Sequence, residues 1–156
     1  MLQELVWEDC RSPVDPSVIH AVETALGIEF PADYKAVILR CNGGHPKPYL
    51  FSYRDPDQGV RVGTAFAALL TVDEPGSPDN ILSVRNDLDS VLPPEVIPFA
   101  EDGGGDYICF DYRSKDSGEA PSIVYWAHEN PPSLAVITLA ESFQAFLDML
   151  MSHSRS

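Results

Sequence analysis

Apolar residues recur with two different periods along this chain, and the change falls near residue 45. Val18, Ile19, Val22 and Leu26 lie at helical spacing and form one stripe, which predicts a first helix. Asp15 is placed to cap it, Pro16 suits its first turn, and Gly27 follows as a left-handed C-terminal residue. Tyr34, Val37, Ile38 and Cys41 make a second stripe, starting at or just after Pro31. Asn42, Gly43 and Gly44 should end that helix as turn residues. The link between the two helices is only a few residues, so a helical hairpin is expected.

Beyond His45-Pro46-Lys47-Pro48 the pattern turns to short strands. Tyr49 to Tyr53 reads as one, and Val60 to Val72 holds one or two more. Asp73 to Pro78 breaks the chain. Asp79 then caps a short helix carrying Ile81, Leu82, Arg85 and Leu88. Val96 to Ala100, Tyr107 to Tyr112 and Ser122 to His128 read as β-strands, the last rich in β-branched and aromatic residues. Leu134 to Leu139 reads as a short edge strand. A last helix from Glu141 to Met151 sets Phe143, Phe146, Leu147 and Leu150 on one face, and the tail SHSRS should fray. Helices followed by consecutive strands and a closing helix predict an α+β fold. The helical hairpin and the C-terminal helix should pack on a mainly antiparallel sheet, in a single domain over residues 1–156.

Charge narrows the partners. The chain has 156 residues, 24 acidic against 10 basic, and a net charge of -14. Nucleic acid and anionic membrane are poor partners for such a surface, while a basic protein is a good one. Residues 73–129 hold thirteen acidic and three basic residues, so this segment carries -10 of the -14. The three cysteines, Cys10, Cys41 and Cys109, are widely spaced, form no CxxC pair, and read as reduced thiols, Cys41 and Cys109 as small core hydrophobes. The opening MLQELVWEDC lacks the pattern of a secretory leader, and no stretch is long and apolar enough to span a bilayer, so a cytoplasmic protein is expected.

The stretch PFAEDGGGDYICFD bears most directly on function. A phosphate cradle would need a helix after Gly103-Gly104-Gly105. A strand follows instead, and Glu101, Asp102 and Asp106 would repel the anion. A calcium loop would need ligands at alternate positions and a closing glutamate, which are lacking. Three glycines at a tight β-hairpin is the reading that remains, with the carboxylates at an exposed tip, either solvated or forming an interaction edge. Asp111 should lie on the sheet face opposite Ile108 and Phe110, and therefore exposed.

The histidines, His20, His45, His128 and His153, form no metal-spaced pair. His128 and Glu129 are neighbours on a strand and point to opposite faces, so they make no dyad. No nucleophile elbow, P-loop or dinucleotide fingerprint is present. No cofactor, metal or catalytic residue is therefore assigned.

The run VIHAVETALGIEFPADYKAVILRCNGG resembles the N-terminal signature of the SUKH superfamily of bacterial immunity proteins, whose relatives include the yeast regulator of cell-wall assembly. The matching features are Ile19, Glu23, Leu26, Gly27-Ile28, Pro31, Tyr34 and Asn42-Gly43-Gly44. IPFAEDGGGDYICFDYR is similar to the family's second signature, a strand, an Asp-Gly-Gly turn and a strand with an acidic end. Ile97, Pro98, Asp102, Gly103, Gly104, Asp106, Phe110 and Asp111 carry it, and Gly105 is an extra glycine. The resemblance spans about residues 18–150. It implies an α+β fold and a non-catalytic protein that binds and neutralises a cognate secreted toxin domain, a basic nuclease being one candidate. A regulatory or scaffolding module acting on cellular partners is the alternative, and a small hydrolase or metal enzyme a more distant one. The residues assigned to the partner are Glu101, Asp102, Asp106, Asp111, Trp126 and His128, with Gly43, Gly44, Gly103, Gly104 and Gly105 as structural turns.

Overall fold

The computed structural model describes residues 5–113, 115–116 and 118–153. Its centre is a five-stranded antiparallel sheet in the order β5 (Ala68–Leu69), β6 (Val96–Glu101), β7 (Tyr107–Asp111), β8 (Ser122–Trp126), β9 (Val136–Ala140). Two antiparallel ribbons accompany it, β1 (Val6–Glu8) with β2 (His45–Lys47) and β3 (Leu50–Arg54) with β4 (Arg61–Ala65). Four α-helices complete the chain: α1 (Pro16–Leu26), α2 (Ala32–Arg40), α3 (Ile81–Asp87) and α4 (Phe143–His153). This is the α+β architecture that the order of periods predicts.

The helix ends follow local chemistry. The Asp15 carboxylate accepts the Ser17 N–H at 2.9 Å, and Gly27 closes α1 with φ 70°. The Asn80 side chain accepts the Leu82 N–H at 2.8 Å, so Asn80 caps α3 in place of the expected Asp79. Asp79 is held instead by Ser77 and Arg11. Ser142 Oγ accepts the Ala145 N–H at 3.0 Å, and α4 starts at Phe143, the first residue of its apolar stripe, rather than at the expected Glu141. Ser152 and His153 belong to α4 rather than to a frayed tail, and the remaining tail residues lie outside the described residues.

Strand alternation divides the core in two. Ile97, Ile108, Phe110, Ile123 and Tyr125 face the side on which Ile19, Tyr34, Ile38, Phe143 and Phe146 pack. The Tyr34 ring meets Phe99, Phe110 and Phe143 edge-on at 4.9 to 5.7 Å, tying α2 and α4 to the sheet. A bulge between Pro98 and Ala100 lets Phe99 and Ala100 join this same cluster. The opposite face carries Val96, Cys109, Val124 and Trp126, covered by Leu92 and Ala135. The sheet is thus buried on both sides.

This second layer corrects one expectation. Asp111 does lie on the face away from Ile108 and Phe110, but it is only 9% exposed. It accepts the Arg113 N–H at 2.9 Å and the guanidinium through Nε and Nη2 at 3.0 Å each. A bidentate arginine is the arrangement that lets a carboxylate leave water.

The N-terminal ribbon brings a second correction. Cys10 and Cys41 form a disulfide rather than remaining reduced thiols. The cause is the pairing of β1 on β2, Trp7 opposite Pro46 and Glu8 opposite His45, which the sequence did not predict. It carries the chain after β1 back over the end of α2. Gly44 permits the approach, since a Cβ there would collide with Cys41 Sγ and lie 2.5 Å from the Glu8 carbonyl. Cys109 alone is a buried free cysteine, and burial pushes its thiol pKa up. Among the described residues, no helix is long and apolar enough to cross a membrane.

Candidate functional site at the triglycine hairpin

The turn between β6 and β7 is built by its first carboxylate. Asp102 Oδ1 accepts the Gly104 N–H at 2.8 Å and the Asp106 N–H at 3.1 Å, while the Asp102 N–H donates to the Asp106 carbonyl at 3.2 Å. Gly103 and Gly105 take φ of 85° and 98°, conformations that side chains resist. Gly105 also makes room, because a Cβ there would sit 3.1 Å from the His128 ring. The extra glycine of the signature is where the histidine lies against the loop.

The other carboxylate oxygens turn inward. Asp102 Oδ2 accepts the Thr64 hydroxyl of β4 at 3.2 Å and lies 2.5 Å from the Tyr125 hydroxyl of β8. Asp106 Oδ2 lies 2.7 Å from that same hydroxyl. Asp106 Oδ1 accepts the His128 N–H at 2.8 Å and meets His128 Nδ1 directly. All four oxygens are thus engaged inside the protein. One phenolic proton is shared between two carboxylates, and the Tyr125 ring is fixed by stacking on Tyr53 at 4.4 Å. Burial first, then the bonds to Asp102 and Asp106, push the Tyr125 pKa far up, so the hydroxyl stays a donor. The bond to Asp106 raises the pKa of His128 above its ordinary 6.5, with Glu129 adding to it.

The loop therefore differs from an exposed acidic tip. Asp102 and Asp106 shape it and tie it to β4 and β8, while Gly103, Gly104, Gly105, His128 and Glu129 form its exposed surface. Glu101 is half-buried at the end of β6, and burial followed by the fields of Asp79 and Asp102 raises its pKa. The Trp126 ring lies 6.1 Å from that of His128 and stacks on Tyr107, 9% exposed inside the second cluster. Asp111 lies at the far end of β7, about 13 Å along the strand. Gly43, with φ 77°, and Gly44 serve the N-terminal turn.

Sequence reading missed Thr64, Tyr125 and the Asp106–His128 pair. The signal for the pair was the register: with Tyr107 opposite Trp126, the residues just outside these two strands meet. β8 stops at Trp126, so His128 and Glu129 lie in the turn that follows rather than on opposite faces of a strand, and His128 meets Asp106 across the hairpin as well as its neighbour. Its Nε2 faces Glu129 at 3.9 Å. Among the described residues, no group of three or more histidine, cysteine or carboxylate side chains is arranged to hold a metal ion.

Elsewhere, an open cleft of about 870 Å³ runs between the end of α1 and residues near Tyr112, with Glu23, Glu29, Glu95, Lys35 and Lys115 on its walls. Glu23 accepts the Phe30 N–H at 2.8 Å and pairs with Lys35 at 3.3 Å, so it holds the α1–α2 junction.

No curated protein matches the chain. The SMI1/KNR4 family (SUKH-1) matches it over residues 13–149, from just before α1 almost to the end of α4. That span contains the α1–Gly27 turn, the Asn42-Gly43-Gly44 turn and the Asp-Gly-Gly hairpin, each with a defined structural role above. The chain belongs to the SMI1/KNR4 (SUKH-1) family.

Proposed function

We propose that this protein is a non-catalytic immunity protein that binds a secreted toxin domain and holds it inactive. The observation that carries the reading is the triglycine hairpin: an exposed loop held rigid from beneath by Asp102, Asp106, Tyr125 and His128, on a chain of net charge -14. A preorganised loop loses little entropy on docking, which favours affinity. An acidic surface attracts a basic domain and speeds the encounter. In this reading Gly103 to Gly105, Glu101, His128 and Glu129 meet the partner. Asp102 and Asp106 act by fixing the loop, and Trp126 and Asp111 by fixing the sheet beneath it.

The protein would work in the cytoplasm, where an incoming toxin acts; Cys10 and Cys41 would be largely reduced there, and their bond would close when the protein meets oxidising conditions. Co-expression with a toxin domain encoded beside its gene tests the function. Growth should be rescued, and the purified pair should bind more weakly as salt rises. Failure to rescue, or turnover of a small molecule by the pure protein, would overturn it. Rescue that survives Glu101→Gln, His128→Ala and Glu129→Gln together would keep the function and move the site.

A further inference from the structure

We infer that the outer edge of β9 is a docking strand for an extended basic segment of a partner protein, an inference that rests on the protein-binding reading above. β9 ends the five-stranded sheet, and its residues Val136, Ile137 and Thr138 stand opposite Trp126, Tyr125 and Val124 of β8. The Ala127 N–H donates to the Ala135 carbonyl at 2.8 Å, which sets the phase of this ladder. Hydrogen-bonded pairs alternate along an antiparallel ladder. The main-chain groups of Ile137 therefore face β8, and those of Val136 and Thr138 face outward. Among the described residues, no hydrogen bond reaches these four outward groups.

The edge is also unguarded. Exposed edges are usually blunted by brevity, proline or charge. β5, at the other end of the sheet, is only two residues long. The β1–β2 ribbon carries Pro46 and Lys47, and the β3–β4 ribbon carries Arg54 and Arg61. β9 reads Val-Ile-Thr-Leu-Ala, with no such residue, and Thr138 is exposed. A peptide laid along it would gain main-chain hydrogen bonds, as added strands do. Charge selects the occupant. Exposed Glu141 follows the strand, and exposed Glu129 precedes it in the turn after β8. A second copy of this chain would bring -14 against -14. A β-branched segment flanked by lysine or arginine matches both the edge and its surroundings.

The probe is the peptide Lys-Val-Thr-Val-Thr-Val-Lys with blocked ends, titrated by NMR into the whole protein. In the free protein the Val136 and Thr138 amides should exchange fast and the Ile137 amide slowly, and the peptide should protect the first two. Thr138→Pro removes one outward donor and leaves the bonds to β8 in place, so it should weaken binding at least about tenfold. Should that variant fail to fold, the same peptide N-methylated at its central valine must lose binding to the unaltered protein. Slow exchange of Val136 and Thr138 in the free protein, absence of peptide binding, or binding indifferent to N-methylation would overturn the inference. Dimerisation abolished by Thr138→Pro would assign the edge to a second copy and overturn the basic partner. A Thr138→Pro protein that still rescues growth from a toxin would sink the docking edge and leave the immunity function standing.

Discussion

The Tyr125 hydroxyl lies 2.5 Å from Asp102 Oδ2, and this contact joins the middle of the sheet to the tip of the β6–β7 hairpin. Tyr125→Phe would keep the stack on Tyr53 and remove the shared proton from two carboxylates. Hydrogen bonds to charged groups contribute about 1.5–3 kcal/mol, so a loss of that size is expected in denaturant unfolding. The amides of Gly103 to Gly105 should exchange faster as well. Unchanged unfolding and exchange would remove Tyr125 from the anchoring of the loop.

His128 gives the hairpin a pH dependence with a fixed sign. Its folded pKa is raised above 6.5, chiefly by the bond to Asp106. The protonated ring therefore contributes stability that is complete below pH ~6 and is lost as pH rises through the folded pKa. Melting temperatures of the protein and of His128→Ala should differ most at low pH and converge above neutrality. A gap that widens with pH would contradict the pairing. The effect is small, since the ring is 39% exposed.

The disulfide closes a span of 31 residues. Loop-closure entropy sets its contribution at about 3–4 kcal/mol. Dithiothreitol, or Cys10→Ser, should lower the urea midpoint accordingly. Equal midpoints with and without reductant would mean that the two sulfurs are unbonded in the folded protein.

The three glycines of the hairpin should not be equivalent. Gly105→Ala meets both a positive φ and the His128 ring, and should destabilise by about 1–3 kcal/mol. Gly104 lacks a positive φ, and a Cβ there would meet only the Asp102 carboxylate at 3.6 Å, so Gly104→Ala should be nearly neutral. Equal effects in thermal melts would refute the loop conformation.

Tyr34 is fully buried, and its hydroxyl has no hydrogen-bond partner among the described residues. Removing an unsatisfied buried hydroxyl should be neutral or stabilising by about 1 kcal/mol. A clear drop in the melting temperature of Tyr34→Phe would reveal a buried water as its partner.

Much of the fold could be read from local pattern. The α1 stripe, its Asp15 cap and Gly27 end depend on residues within one segment, and they stand as predicted. The three central strands also form where they are expected, each rich in β-branched and aromatic residues, with β8 ending at Trp126 rather than His128. β1 and β2 escaped notice because each is three residues long and one contains proline; they are strands only by pairing with each other. The α3 cap moved by one residue because Asp79 found Ser77 and Arg11 as partners. At the candidate site, the sequence located the hairpin and its glycines, but not the direction of its carboxylates.

The sequence by itself determined the order of the helices and of the central strands, the glycine turn and the acidic charge, because periodicity, φ preference and formal charge belong to neighbouring residues or to the chain as a whole. Only the tertiary structure decided that Asp102 and Asp106 bond inward, that Asp111 leaves water, and that Cys10 reaches Cys41. Each of these depends on a partner brought close by strand register or ribbon pairing. Burial and hydrogen bonding are properties of that proximity rather than of the residue.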